Sequence, residues 1–228
     1  MYKDVKKKLL SVALCVCMVI GAVQVVPRVK AAAQPVGGYY PITVGIVGTA
    51  ETQTVYVQLA QDTTYTYNRS AHTPEILNVV TNTANPQGTS IMSSFQTALN
   101  IVEGSSTDAG TFYGLLASKD NTYSVSDTPD NRIEFTIKPA TVTDMDVVVD
   151  SNTLKYTDGG VQPSVSSVTL TIDDTYEQIT YTGDDIENNF SVGKIDSVGR
   201  NQTSEITLKS NSNFTNTLSQ TVNCYLRT

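Results

Sequence analysis

The chain has 228 residues, 39% hydrophobic and 16% charged, with no Trp, one His and three Cys. That composition suits one large or two ordinary folded domains and excludes a disordered polypeptide. A formal charge of −7 with a pI near 4.6 also excludes a nucleic-acid backbone as partner, which would require a basic surface.

Lys3, Lys6, Lys7 and Lys8 precede an apolar run over residues 9–26, and the stretch closes on Ala31-Ala32-Ala33. A basic start, an apolar middle and small residues at the end make a secretory signal peptide over residues 1–33, with cleavage expected after Ala33. An uncleaved anchor is the competing reading, because the run approaches the roughly 20 residues that span a bilayer. Leu14 and Val16, which stand before Cys15 and Cys17, are not the small residue that a lipoprotein cysteine requires. Cleavage would remove six of the 15 basic residues and one of the 22 acidic ones, taking the formal charge to −12. It would also leave Cys224 as the one cysteine, so no intramolecular disulfide can form. Export without disulfides points to a bacterium, and a Gram-positive one in particular.

Residues 34–49 read as a lead segment, either a first edge strand or a flexible approach. Adjacent Tyr39 and Tyr40 within it are candidates for an aromatic platform that stacks on sugar rings. From there the chain carries an internal period of 89 residues. Tyr67 and Pro74 stand seven apart, as do Tyr156 and Pro163, and Ile133-Glu134-Phe135-Thr136-Ile137 falls on Val222-Asn223-Cys224-Tyr225-Leu226. The units run over residues 50–140 and 141–228, joined at Lys138-Pro139-Ala140-Thr141, where proline ends a strand.

Alternation within the units predicts strands. Val55, Val57 and Leu59 share one face, as do Val168, Leu170 and Ile172. Turns are expected at Asn85-Pro86-Gln87-Gly88, Asp127-Thr128-Pro129-Asp130, Asp158-Gly159-Gly160 and Thr182-Gly183-Asp184. Residues 90–104 carry both helical and alternating spacings; strand is the favoured reading, and a helix crossing a sheet, as in a β-grasp fold, is the alternative. The expected fold class is all-β, two tandem Ig-like or β-sandwich-type repeats after the signal peptide.

The order Tyr67…Pro74, Asp108-Ala109-Gly110-Thr111-Phe112, Asn121-Thr122-Tyr123 and Phe135-Thr136-Ile137-Lys138-Pro139-Ala140 resembles the tandem all-β repeats called MBG or YDG-type domains. In the second unit Lys155-Tyr156-Thr157-Asp158-Gly159 is similar to the opening motif and the polar segment 183–189 to the turn, while Val198-Gly199-Arg200-Asn201 departs from the pattern. The resemblance implies a secreted or wall-attached bacterial protein, commonly an adhesin. Its motifs are turn and core residues, which specify fold and not activity.

His72 is the one imidazole that a Ser-His-Asp or Cys-His site would have to use; its loop position reads as exposed or at an edge. Cys224 falls opposite Phe135 in the period and reads as a small core residue. Asp144 and Asp146, with Asp184, Asp185 and Glu187, are candidate oxygen ligands for calcium near the joint, or else solvated charge that protects edge strands. Lys155 and Asn223 are candidates for an isopeptide crosslink with Glu177 or Glu205 as proton shuttle. No cofactor is expected beyond that calcium. The functional expectation is a non-enzymatic, secreted or cell-surface stalk or adhesin module that meets an extracellular polysaccharide, glycoprotein or cell-wall polymer. A carbohydrate-binding accessory module is the alternative, and a secreted hydrolase the alternative of another class.

Overall fold

The computed structural model describes residues 32–60, 63–82, 88–104, 106–172 and 177–228. Residues 32–228 form one compact unit. Residues 1–31 of the expected signal peptide, and most of the turn at 85–88, lie outside the described residues. The described chain is all-β, with one short α-helix.

The first set of strands comprises β1 (Tyr40–Ile46), β2 (Thr52–Leu59), β3 (Thr64–Thr66), β4 (Ile76–Val80), β5 (Asn100–Ile101), β6 (Gly110–Leu115), β7 (Tyr123–Val125) and β8 (Arg132–Lys138). They make two sheets, in the orders β4-β2-β1-β7 and β3-β8-β6-β5. The second set comprises β9 (Val142–Val149), β10 (Thr153–Lys155), β11 (Val165–Ile172), β12 (Gln178–Thr182), helix α1 (Asp184–Asn189), β13 (Phe190–Val192), β14 (Gly199–Leu208) and β15 (Ser219–Arg227). Its sheets run β12-β11-β9 and β10-β15-β14-β13.

Alternating β-branched residues account for the cores. Val55 and Val57 on β2, and Val168, Leu170 and Ile172 on β11, turn to the interior as their spacing predicts, while the residues between them face outward. Burying a side chain of this size contributes about 1.5–3 kcal/mol.

Pairings recur at a separation of 89 residues. Parallel β3 and β8 set Thr64 opposite Thr136, and parallel β10 and β15 set Thr153 opposite Tyr225. Gly110 lies opposite Ile137, and Gly199 opposite Leu226. The Tyr67 amide donates to the Lys138 carbonyl at 2.9 Å, and the Tyr156 amide to the Arg227 carbonyl at 2.8 Å. Beyond Gly199 the register slips, so that Cys224 faces Gln202. This irregularity coincides with the segment where the sequence departs from the repeat.

Several segments differ from expectation. Residues 34–49 are neither a loose lead nor an edge, because β1 pairs with β2 on one side and β7 on the other. Val36 and Tyr39 close a tight hairpin whose central residues, Gly37 and Gly38, have φ of 59° and 82°, a conformation that side chains with a Cβ resist. Ala33 is 7% exposed in the first core, and its amide donates to the Arg132 carbonyl at 2.8 Å. Residues 90–104 form neither a long helix nor a long strand: a 3-10 turn spans Met92–Ser94, and β5 has two residues. Both Phe95 and Leu99 are nonetheless buried there. Leu99 presses on Gly114, where an added Cβ would meet the Leu99 Cβ at 2.7 Å. The polar segment after Gly183 folds as α1 instead of a turn, with Asp184, Asp185 and Glu187 in its first turn, where the helix dipole favours negative charge.

One apolar cluster spans both strand sets. Tyr67, Ile137 and Ala140 from the first set pack with Val168, Leu170, Tyr181, Phe190, Leu208 and Phe214 from the second. A separate cluster built on Ile42, Val55, Val79, Phe95 and Ile133 fills the first set.

Candidate functional site at the joint

Chain leaving β3 carries Tyr67, Asn68, Arg69 and His72 to the second strand set. Arg69 holds φ = 65°, uncommon for a residue with a side chain. This conformation accompanies three contacts of its guanidinium: Nη2 donates to Asp185 Oδ2 at 2.6 Å, Nη1 to the Thr180 carbonyl at 3.3 Å, and the group lies 4.5 Å from the Tyr181 ring centre. The hydrogen bond to Asp185 raises the Arg69 pKa further above its ordinary value.

A second polar strand of the joint starts at Asn68. Its Nδ2 donates to Glu177 Oε2 at 3.1 Å, while its Oδ1 accepts from the Ser70 amide at 2.9 Å and meets His72 Nε2 at 2.9 Å. The imidazole is half-buried and stacked on Tyr65 of β3, the edge strand of its sheet, with ring centres 4.8 Å apart; the edge position expected is found, and full exposure is not. Burial lowers its pKa, against the pull of Glu177.

Asn213 supplies the third connection. Its Nδ2 donates to Asp108 Oδ1 at 2.9 Å, its Oδ1 accepts from the Ala109 amide at 2.7 Å, and its carbonyl accepts from the Ala140 amide at 2.9 Å. Next to it Phe214 meets the Tyr67 ring edge-on at 5.3 Å.

Between these connections lies an open cleft of about 340 Å³, lined by Tyr67, Arg69, Asp108, Tyr181, Asn189 and Asn213 among others. Tyr181 is 1% exposed, and its hydroxyl makes no hydrogen bond within the described residues. Burial, with the neighbouring Tyr67 hydroxyl, pushes its phenol well above the ordinary range, and burial likewise raises Tyr67. Both phenols are neutral at physiological pH. The cleft is thus walled by the Arg69 guanidinium, a carboxylate, two amides and neutral phenols; the Asp108 and Asn213 side chains are bonded to one another, the Asn189 amide to the Asp185 carbonyl, and the Tyr181 hydroxyl is buried. A larger recess of about 440 Å³, lined by Gln162, Pro163, Gly183, Ile186, Glu187 and Phe190 among others, opens beside α1.

The candidates from sequence fall in different places. Tyr39 and Tyr40 are both half-buried, and Tyr40 packs against the first core. As neighbours at the start of β1 they turn to opposite sides and form no common platform. Asp144 and Asp146 lie on the outward face of β9, where Asp144 Oδ1 accepts the Met145 amide. Asp184, Asp185 and Glu187 lie on α1, whose Ile186 is buried in the shared core, and Asp185 is taken by Arg69. The five carboxylates do not converge, and among the described residues no group of three His, Cys, Asp or Glu is placed to hold a metal ion. Lys155 pairs with Arg227, four residues along β15 from Asn223, a separation of about 13 Å; Glu177 meets Asn68, and Glu205 faces Thr221. No crosslink geometry results. Cys224 is 3% exposed, and burial raises its thiol pKa, as suits a core residue and not a nucleophile.

Arg69, Asp108, Tyr181, Asn189 and Asn213 were not legible as a site. Their partners stand more than 100 positions apart, as in Arg69 with Asp185 and Asp108 with Asn213. The repeated Tyr67, and Asp108, Glu177 and Asp185 singled out for other reasons, were the signals near it.

Comparison with protein families, curated proteins and solved structures finds no match for this chain.

Proposed function

We propose that the chain is a non-enzymatic, exported bacterial module, two tandem strand-built repeats of the MBG or YDG kind, that acts as a stalk or adhesive unit at the cell surface. The observation that carries this reading is the joint. A shared apolar core and three polar connections, through Arg69, Asn68 and Asn213, tie one strand set to the other. A unit that transmits load or presents a surface needs such a fixed joint, because an interface of few contacts leaves domains free to move. The acidic surface and the period of 89 residues support the same reading.

The partner class is an extracellular polysaccharide, glycoprotein or wall polymer. The open polar cleft favours a carbohydrate-binding module as the second reading, with Arg69, Asp108, Asn189 and Asn213 in its lining. The test is retention of the exported chain on immobilised glycans, glycoproteins and wall polymers, with NMR relaxation read on both strand sets. A common rotational correlation time with retention on one of these surfaces supports the adhesive module. Retention abolished by Asp108→Ala and kept by Tyr39→Ala assigns the cleft. Independent tumbling of the halves, with no retention, refutes both readings.

A further inference from the structure

Two frames near residue 31 present small or aliphatic residues three places and one place before a cut: Val29-Lys30-Ala31 and Ala31-Ala32-Ala33. The frame ending at Ala32 places charged Lys30 at the outer position. Sequence alone favours the alanine triplet; the packing of Ala33 weighs against it.

Ala33 belongs to the folded unit. Its side chain is 7% exposed within the first core, beside Ile42, Val55 and Ile133 in the same cluster. Its amide donates to the Arg132 carbonyl at 2.8 Å, at the head of β8. The Arg132 side chain is in turn held by Asp127, through Nε at 2.6 Å and Nη2 at 3.0 Å. A cut after Ala33 would remove a packed methyl group and deprive that carbonyl of its donor. A cut after Ala32 would turn the Ala33 amide into an ammonium within the apolar cluster, and a charge so placed is costly unless paired.

We infer that processing occurs between Ala31 and Ala32, with Val29 and Ala31 as the recognised residues, so that the mature chain begins Ala32-Ala33-Gln34. This is the latest start that keeps Ala33 as a peptide amide. Half-buried Ala32 can carry the new terminus while its carbonyl accepts Gln34 Nε2 at 3.3 Å. The inference rests on the reading of the leader as an export signal.

The full chain, expressed in a bacterial secretion host, is recovered from the medium and cell surface for N-terminal sequencing and intact mass. A start at Ala32 is expected. A start at Gln34 overturns the inference and leaves export standing, whereas an unprocessed chain retained in the cell overturns the export reading itself. Val29→Asp, which alters nothing in the folded unit, is expected to cut the yield of Ala32-initiated protein at least tenfold; unchanged processing of that variant also overturns the inference. A chain made to begin at Gln34 is expected to melt a few degrees below one that begins at Ala32, and equal melting would remove the structural reason for the choice.

Discussion

Removing the Tyr181 hydroxyl tests whether the cleft stores an unsatisfied group. In Tyr181→Phe the ring keeps its edge-on contact with Phe190, centres 5.1 Å apart, and its place below Arg69. The atom that leaves is buried and unbonded within the described residues. An unsatisfied buried polar group costs about 1–3 kcal/mol; taking the lower end, because an open cleft adjoins it, the variant gains about 1 kcal/mol. For a chain of this size that raises the melting temperature by roughly 2–4 °C. Urea unfolding gives the assay, with a higher midpoint and an unchanged slope as the expected result. Tyr67→Phe is the control: its hydroxyl has both the Tyr181 hydroxyl and the Asn213 amide as neighbours, so that variant loses stability. A loss of 1 kcal/mol or more in Tyr181→Phe would refute the reasoning, since it would mean that the hydroxyl has a partner in the native protein.

Other outcomes follow from the same geometry. Asn131 is 4% exposed and ties down β1, accepting from the Thr43 amide and donating to the Thr43 and Ser126 carbonyls; Asn131→Ala is expected to cost about 2–3 kcal/mol in urea unfolding, and a cost below half a kcal/mol would contradict this role. His72 has a lowered folded pKa, so the unfolded chain binds the proton more readily. Its contribution to stability is complete above about pH 6.5 and is lost as pH falls through the lower folded value. A His72→Gln variant should therefore show a shallower fall in stability between neutral and mildly acidic pH; an identical slope would dispose of the point. Millimolar calcium should leave the melting temperature unchanged, because Asp144 and Asp146 face away from the core that seats α1. A rise of several degrees would reveal a site.

Local patterns made much of the fold legible, and contacts distant in sequence made the rest obscure. Alternation placed Val55 and Val57, and Val168 through Ile172, because a half-buried strand imposes a period of two. The 89-residue offset marked Tyr67 and Tyr156 before their matching hydrogen bonds to the closing strands were seen. The place of β1 was hidden, since what makes it an internal strand is β7, some 80 residues later in the chain. Helix α1 was read as a turn because six residues offer too short a window for periodicity. Residues 90–104 carried two competing periods, and packing of Phe95 and Leu99 prevailed without a regular element. The joint could not be read at all: nothing local to Arg69 names Asp185, nor does anything near Asp108 name Asn213.

Calorimetry of the exported chain tests most directly whether the two strand sets form one body. A core that runs from Tyr67 and Ile137 to Leu170 and Phe214 requires a single transition whose calorimetric and van't Hoff enthalpies agree. Two resolved transitions, with Asn131→Ala displacing one and leaving the other in place, would contradict the account.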